Sequence, residues 1–336
     1  MLTDTFVTVN APALAGLTFR GFQGAADYPQ MIAVLHGSKD ADQVEEVDTL
    51  ETLTNAYAHL VNCDPYRDML FVEVAGQLVG YARVFWVEAA DGSRLYIHLG
   101  FLLPAWRGQG IGRAMLSFCE QRLREIAAAH PAGQPRSLQV AAMNTETAKA
   151  RLFERSGYAP VRYFYEMVRP NLENIPEAPM PAGLEVRPVR SEHYRAIWEA
   201  DVEAFRDHWG YVLRGEEDYQ AWLADAEFQP EIWKVAWDVA TAQVAGMVLG
   251  FISEEQNAKF HRRRGWSENI CVRRPWRRRG LARALIAENL REFRARGMSE
   301  AALGVDTENL SGALGLYESM GFQAVRRNTV YRKAMP

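Results

Sequence analysis

No run of apolar residues in this 336-residue chain is long enough to cross a bilayer, which takes about 20 in succession. Neither sign of charge is in large excess: 38 Lys and Arg stand against 42 Asp and Glu, a net charge of −4. Without a positive field, the chain is not expected to bind nucleic acid or an anionic membrane surface. Cysteine is scarce. Cys63, Cys119 and Cys271 are odd in number, far apart and without metal-ligand spacing. Neither a disulfide framework nor a metal site is therefore expected, and this usage suits a reducing cytoplasm. The first twenty residues show no basic stretch leading into an apolar core, so no secretion signal is expected.

The residues present read as a globular protein, 48% hydrophobic and 24% charged, long enough for two ordinary domains. The pattern Gly-Leu-Thr-Phe-Arg-Gly-Phe at 16–22 returns as Gly-Leu-Glu-Val-Arg-Pro-Val at 183–189. Recurrence of this kind marks an internal duplication. Both halves then follow one plan. Helices lead to a hairpin (69–75 with 78–88, and 232–238 with 243–252), then to a strand that enters a glycine-containing turn and a helix. A further strand, a short helix and closing strands complete each half. Pro170, Pro176, Pro179 and Pro181 lie between the halves, so 170–183 is expected to be a stiff linker joining domains 1–169 and 184–336. The expected fold class is α/β, with two tandem units, each a central mixed sheet flanked by helices.

Residues 268–285 are the centre of this plan. Ile270 and Val272 alternate with Asn269 and Cys271, which predicts a strand over 268–272 that Pro275 ends. Arg277-Arg278-Arg279-Gly280-Leu281-Ala282-Arg283 then opens a helix. The twin in the first half follows Leu102 and reads Arg107-Gly108-Gln109-Gly110-Ile111-Gly112-Arg113. The first N–H groups of a helix have no internal partner and attract anions. Glycine lets the backbone approach such a ligand closely.

Each loop is followed by a strand and a related hexapeptide: Phe153-Glu154-Arg155-Ser156-Gly157-Tyr158 and Tyr317-Glu318-Ser319-Met320-Gly321-Phe322. This conjunction resembles the GNAT superfamily of acetyl-CoA-dependent N-acetyltransferases over most of the chain. The tandem layout looks like the mycothiol synthase-like group, in which one domain is catalytic and the other degenerate. The resemblance implies acetyl-CoA as co-substrate with no metal, a small-molecule amine as acceptor, and a cytoplasmic monomer or homodimer. It implies that the 277–283 loop holds the coenzyme's pyrophosphate. Ile270, Cys271 and Val272 would line the pantetheine arm, which Asn309 reaches from the other side. Leu102 and the 107–113 loop would do the same if the first half still binds the coenzyme.

Tyr317 matches the family's tyrosine general acid. Its counterpart, Phe153, has no proton to give, so catalysis is expected in the second half. Glu268 is the candidate base, with His98 at the matching position of the first half. The resemblance places a glutamate two residues earlier, at Trp266, so water, Asp306, Glu254 and Glu255 stay open as alternatives. The segment around 202–222, which includes Asp207, His208 and Trp209, is rich in acids and aromatics and would border the acceptor. Two other readings remain: acetylation of a protein N-terminus or lysine, and a non-catalytic acyl-CoA-binding module.

Overall fold

The computed structural model describes residues 11–225, 227–309 and 312–335. Two compact units emerge. The first runs to Val161 and takes in residues from Thr329 onward; the second is Arg162–Asn328.

The first unit is built from β1 (Leu17–Arg20), α1 (Tyr28–Ala41), α2 (Leu50–Ala58), α3 (Pro65–Asp68), β2 (Met69–Val74), β3 (Gln77–Glu88), β4 (Arg94–Leu102), α4 (Ile111–Ala128), β5 (Arg136–Met143) and α5 (Thr147–Arg155). Its strands lie in the order β1-β2-β3-β4-β5. They are antiparallel except for the parallel pair β4 and β5. This is the mixed sheet expected from the sequence. Leu70, Val72, Tyr96, Leu123 and Leu138 are fully buried in its core.

The second half of the chain supplies β6 (Ala159–Arg169), β7 (Leu184–Arg187), α6 (Tyr194–Phe205), α7 (Glu216–Leu223), β8 (Lys234–Asp238), β9 (Val244–Val248), α8 (Glu254–Lys259), β10 (Arg264–Trp266), β11 (Cys271–Val272), α9 (Leu281–Ala295), β12 (Glu300–Asp306), α10 (Ala313–Ser319) and β13 (Gln323–Ala334). Strands β7, β8, β9 and β11 form an antiparallel ladder. β10 runs parallel to β12, and β12 antiparallel to β6. α9 turns Leu281, Leu285, Leu290 and Phe293 into the core, the helical spacing read in the sequence.

Two boundaries differ from the sequence reading. The units divide inside β6 and β13, because ladder pairing outweighs nearness along the chain. Phe164 to Arg169 pair with Asp306 to Ala301 of the second unit. Tyr331 joins the first unit's core, and Lys333 reaches Glu120 of that unit at 2.9 Å. The proline-rich segment is also not a free linker. Leu172 is buried in the second unit's core, and Ile175, Ala178 and Met180 pack against it.

The strand expected over 268–272 is interrupted. β10 ends at Trp266 and β11 begins at Cys271. Phe251 faces Trp266 while Met247 faces Cys271, so four residue steps on one strand oppose five on the other. One extra residue is a β-bulge, and Asn269 sits in it with φ of 44°. The matching strand β4 keeps one register against β3 from Arg94 to Leu102.

Candidate active site

The bulge opens the second unit. β10 holds parallel pairing with β12 as far as Trp266, and the Ser267 N–H still reaches the Ala302 carbonyl at 2.8 Å. Past that point the chain turns toward β9: Leu249 donates to the Glu268 carbonyl at 2.9 Å and Arg273 to that of Ala245 at 3.0 Å. Strand alternation then turns the N–H of Val272 to the opposite edge. Between this edge and Gly304, Val305 and Asp306 of β12 lies a cleft of about 1060 Å³, at the upper end of ordinary ligand sites (about 300–1,000 Å³).

Glu268, Ile270, Cys271, Val272, Arg277, Arg278, Gly280, Leu281, Ala282, Arg283, Asn309 and Tyr317 all line this cleft. Arg279 is the exception among the second-half residues assigned to the coenzyme from the sequence. Its guanidinium bonds the Ala182 carbonyl at 2.7 Å.

The loop arginines divide by task. Arg277 donates to the Val272 carbonyl at 2.9 Å and to Asp207 at 3.1 Å. Arg107 repeats this in the first unit, to Leu102 at 3.0 Å and to Asp42 at 2.6 Å. The first arginine of each loop therefore ties strand to helix. Asp207 also binds Arg274, and these two cations pull its carboxyl down to about 2. Arg278 is exposed on the cleft, and Arg283 reaches Ser319 at 2.7 Å beside it. At the helix start, Gly280 takes φ of 87°, and a side chain built there would meet no atom within 4 Å. That open, donor-rich helix terminus fits a pyrophosphate.

Glu268 is reached by solvent through the cleft and yet has protein on most sides, as a residue in a concave wall can. This crowding raises its carboxyl above the usual range, and the nearby Asp225 adds to the rise. Tyr317 is 5% exposed. Its burial, with Cys271 close by, pushes the phenol up, so it keeps its proton. Cys271 is buried and paired with Met247, and its thiol is likewise driven up by desolvation. Trp266 does not line the cleft. Its ring stacks on Phe251 at 6.3 Å and its N–H bonds Gln256. Asp306 lines the cleft but is held by Arg162 through two bonds of 2.8 Å. Glu254 and Glu255 lie exposed in the first turn of α8, away from the cleft lining.

Phe164, Asp225 and Ser267 were not singled out from the sequence as site residues. His208 was noted only within its segment. It lines the cleft, 4.4 Å from the Phe205 ring, and burial lowers its imidazole.

In the first unit the equivalent place is filled. His98 bonds the Tyr158 hydroxyl at 3.1 Å and meets the edges of Phe153 and Tyr158; Tyr331 packs on Phe153. Burial drives the His98 imidazole down to about 3, which keeps it neutral. Pro12 covers the loop: its Cβ would lie 3.2 Å from a Cβ at Gly110. Leu102, Arg107, Gly108, Gln109, Gly110, Ile111, Gly112 and Arg113 thus keep the shape of a coenzyme loop beneath a covered glycine.

Among the described residues no cluster of three His, Cys, Asp or Glu could hold a metal ion, and no helix is long and apolar enough to cross a membrane.

Residues 193–322 match the acetyltransferase (GNAT) family and residues 65–160 match an acetyltransferase (GNAT) domain. A mycothiol acetyltransferase of Streptomyces bingchenggensis is 30% identical over 274 residues, 79% of this chain and 80% of the relative. One from Thermobispora bispora is 26% identical over 91% of this chain and 96% of its own. Among solved structures, a GCN5-related N-acetyltransferase from Sphaerobacter thermophilus shares 26% identity with a TM-score of 0.71, covering 95% of both chains.

Proposed function

The chain belongs to the GNAT acetyltransferase family as a tandem member similar to the mycothiol acetyltransferases. On that footing we propose that its second unit moves the acetyl group of acetyl-CoA to a primary amine of a small molecule by direct attack. That the protein is an N-acetyltransferase follows from the family; the unit, the acceptor class and the residues are the proposal. One observation carries it. Glu268 and Tyr317 line the same cleft as the 277–283 loop, while Phe153, the counterpart of Tyr317, packs against His98 in the first unit.

An alkyl amine with a pKa near 10 is mostly protonated at neutral pH and must lose a proton before it attacks. The neutral amine nitrogen sheds a further proton as it bonds to the thioester carbon, and Glu268, with its raised carboxyl, is placed to take that proton directly or through one water. Past the bulge the Val272 N–H faces away from β9, and such a donor stabilises a developing oxyanion. Tyr317 keeps its proton and can deliver it to the departing thiolate. Arg278, Arg283 and the first N–H groups of α9 would hold the phosphates of the co-substrate. Phe164, Phe205 and His208 form an apolar and neutral wall, which favours a neutral amine over its ammonium form.

The test is acetyl-CoA turnover, read as released thiol, against a panel of small primary amines and, separately, of peptides. Transfer to a small amine that is lost in Glu268→Gln and Tyr317→Phe is expected. Transfer to peptides alone would replace the acceptor class. Full activity in both variants would move the chemistry elsewhere.

A further inference from the structure

Beneath the bulge lies a polar pair that the chemistry above does not use. The Ser267 hydroxyl donates to Asn289 Oδ1 at 2.6 Å. Ser267 is 1% exposed and Asn289 0%. Asn289 stands on the core face of α9, among Leu285, Ile286, Leu290 and Phe293. Its Nδ2 has no hydrogen-bond partner and crowds Gly250, where an added Cβ would lie 2.8 Å away. A half-satisfied amide in an apolar core disfavours folding. Its retention points to something other than stability.

The duplication supplies the comparison. With the extra residue of the bulge counted, the places of Ser267 and Asn289 in the first unit are held by His98 and Cys119. His98 lies within β4, whose register against β3 is unbroken, and bonds the Tyr158 hydroxyl, while Cys119 is buried in the apolar core. The unit whose strand residue bonds Tyr158 has a continuous strand. The unit whose strand is tied to its helix through Ser267 and Asn289 has the bulge, beginning at the residue after Ser267. The hydroxyl bond ties the chain to α9 at the last point where it still pairs with β12, just before Glu268 turns toward the cleft.

We propose that Ser267 and Asn289 are positioning residues that fix the bulge, and through it the placement of Glu268 and of the Val272 N–H. This rests on the proposed role of Glu268, but the placement can be read without turnover. The test compares Ser267→Ala, Ser267→Thr and the double variant Ser267→Ala/Asn289→Leu. Amide hydrogen exchange over 264–273 is expected to quicken about tenfold or more in Ser267→Ala and the double variant, with other segments of the unit unchanged. Ser267→Thr, which keeps the donor, restores it. The Tm of the double variant is expected to equal or exceed that of the starting protein, since an unsatisfied amide leaves the core. In turnover, kcat is expected to fall about 10- to 100-fold with the KM for acetyl-CoA within about threefold, because the 277–283 loop is untouched. Unchanged exchange over 264–273 overturns the inference whatever the activity. So does a double variant that loses stability, since the pair would then serve packing. Quickened exchange in a protein that shows no transfer even before mutation leaves the inference standing and sinks the reading of Glu268.

Discussion

Arg278 holds, at φ of 62°, the left-handed place that Gly108 holds at 76° in the first unit. Glycine enters that region without penalty, whereas a residue with a Cβ gives up about 1 kcal/mol or more. The second unit accepts that strain and gains a cation on the cleft. Arg278→Gly relieves the strain but loosens the unfolded chain by a similar amount. The expected result is a Tm within about 2 °C of the starting value and a KM for acetyl-CoA raised several-fold, with kcat little changed. Differential scanning fluorimetry and steady-state kinetics check it; an unaltered KM removes Arg278 from the phosphate site.

One coenzyme per chain is expected, not two. Pro12 lies on Gly110, and the first unit's core fills the place of the reacting groups. Calorimetric titration with coenzyme A should saturate near one equivalent, and Arg278→Gly should weaken that single event. Saturation near two would show that Pro12 gives way.

Glu268 must be ionised to act, so activity is present above its pKa and lost as pH falls through it. Desolvation, with Asp225 adding, places that pKa above the ordinary carboxylate value of about 4.3. Plotted as log kcat/KM, the profile should fall with slope one below the amine's own pKa and steepen toward two below that of Glu268. Glu268→Gln removes the second break. Asp225→Asn takes away a like charge and should move that break to lower pH; a break that stays put would mean Asp225 is too well solvated to matter.

Tyr317→Phe should lower kcat by roughly 10²–10⁴ if the phenol is the general acid, with a small change in Tm because the ring packing stays. The reciprocal change, Phe153→Tyr, adds a hydroxyl beside His98 and Tyr158 in the first unit and should leave turnover as it was. Equal kcat in Tyr317→Phe would reduce Tyr317 to a packing residue.

The duplication, both loops, the hairpins and the mixed sheets were legible because hydrophobic period and glycine position are local properties of the chain. Three features were not. The exchange of strand segments at 162–169 and 329–334 depends on which ladder a strand joins, and its residue pattern is the same in either. The bulge at Asn269 is hidden because the residues around it keep their alternation; only pairing with β9 shows the extra residue. The proline-rich segment looked like a spacer because its apolar residues, Leu172, Ile175 and Met180, are too sparse to show a period, although they pack on the core. One signal was present and went unread: Asn289 interrupts the apolar stripe of α9 between Leu285 and Phe293.

Asp306 was an alternative base, and its surroundings argue against that. Arg162 grips both oxygens at 2.8 Å, and the Glu308 N–H reaches Oδ1 at 3.1 Å. A carboxylate so occupied has little room left to accept a hydrogen bond from a substrate. Asp306→Asn removes one partner of a poorly exposed ion pair, which should destabilise by about 1–3 kcal/mol and lower the Tm by roughly 2–4 °C per kcal/mol. Turnover should drop only modestly, through loosening of the end of β12, and the steep acid limb assigned to Glu268 should remain. A variant that keeps its Tm but loses that limb would transfer the base role from Glu268 to Asp306.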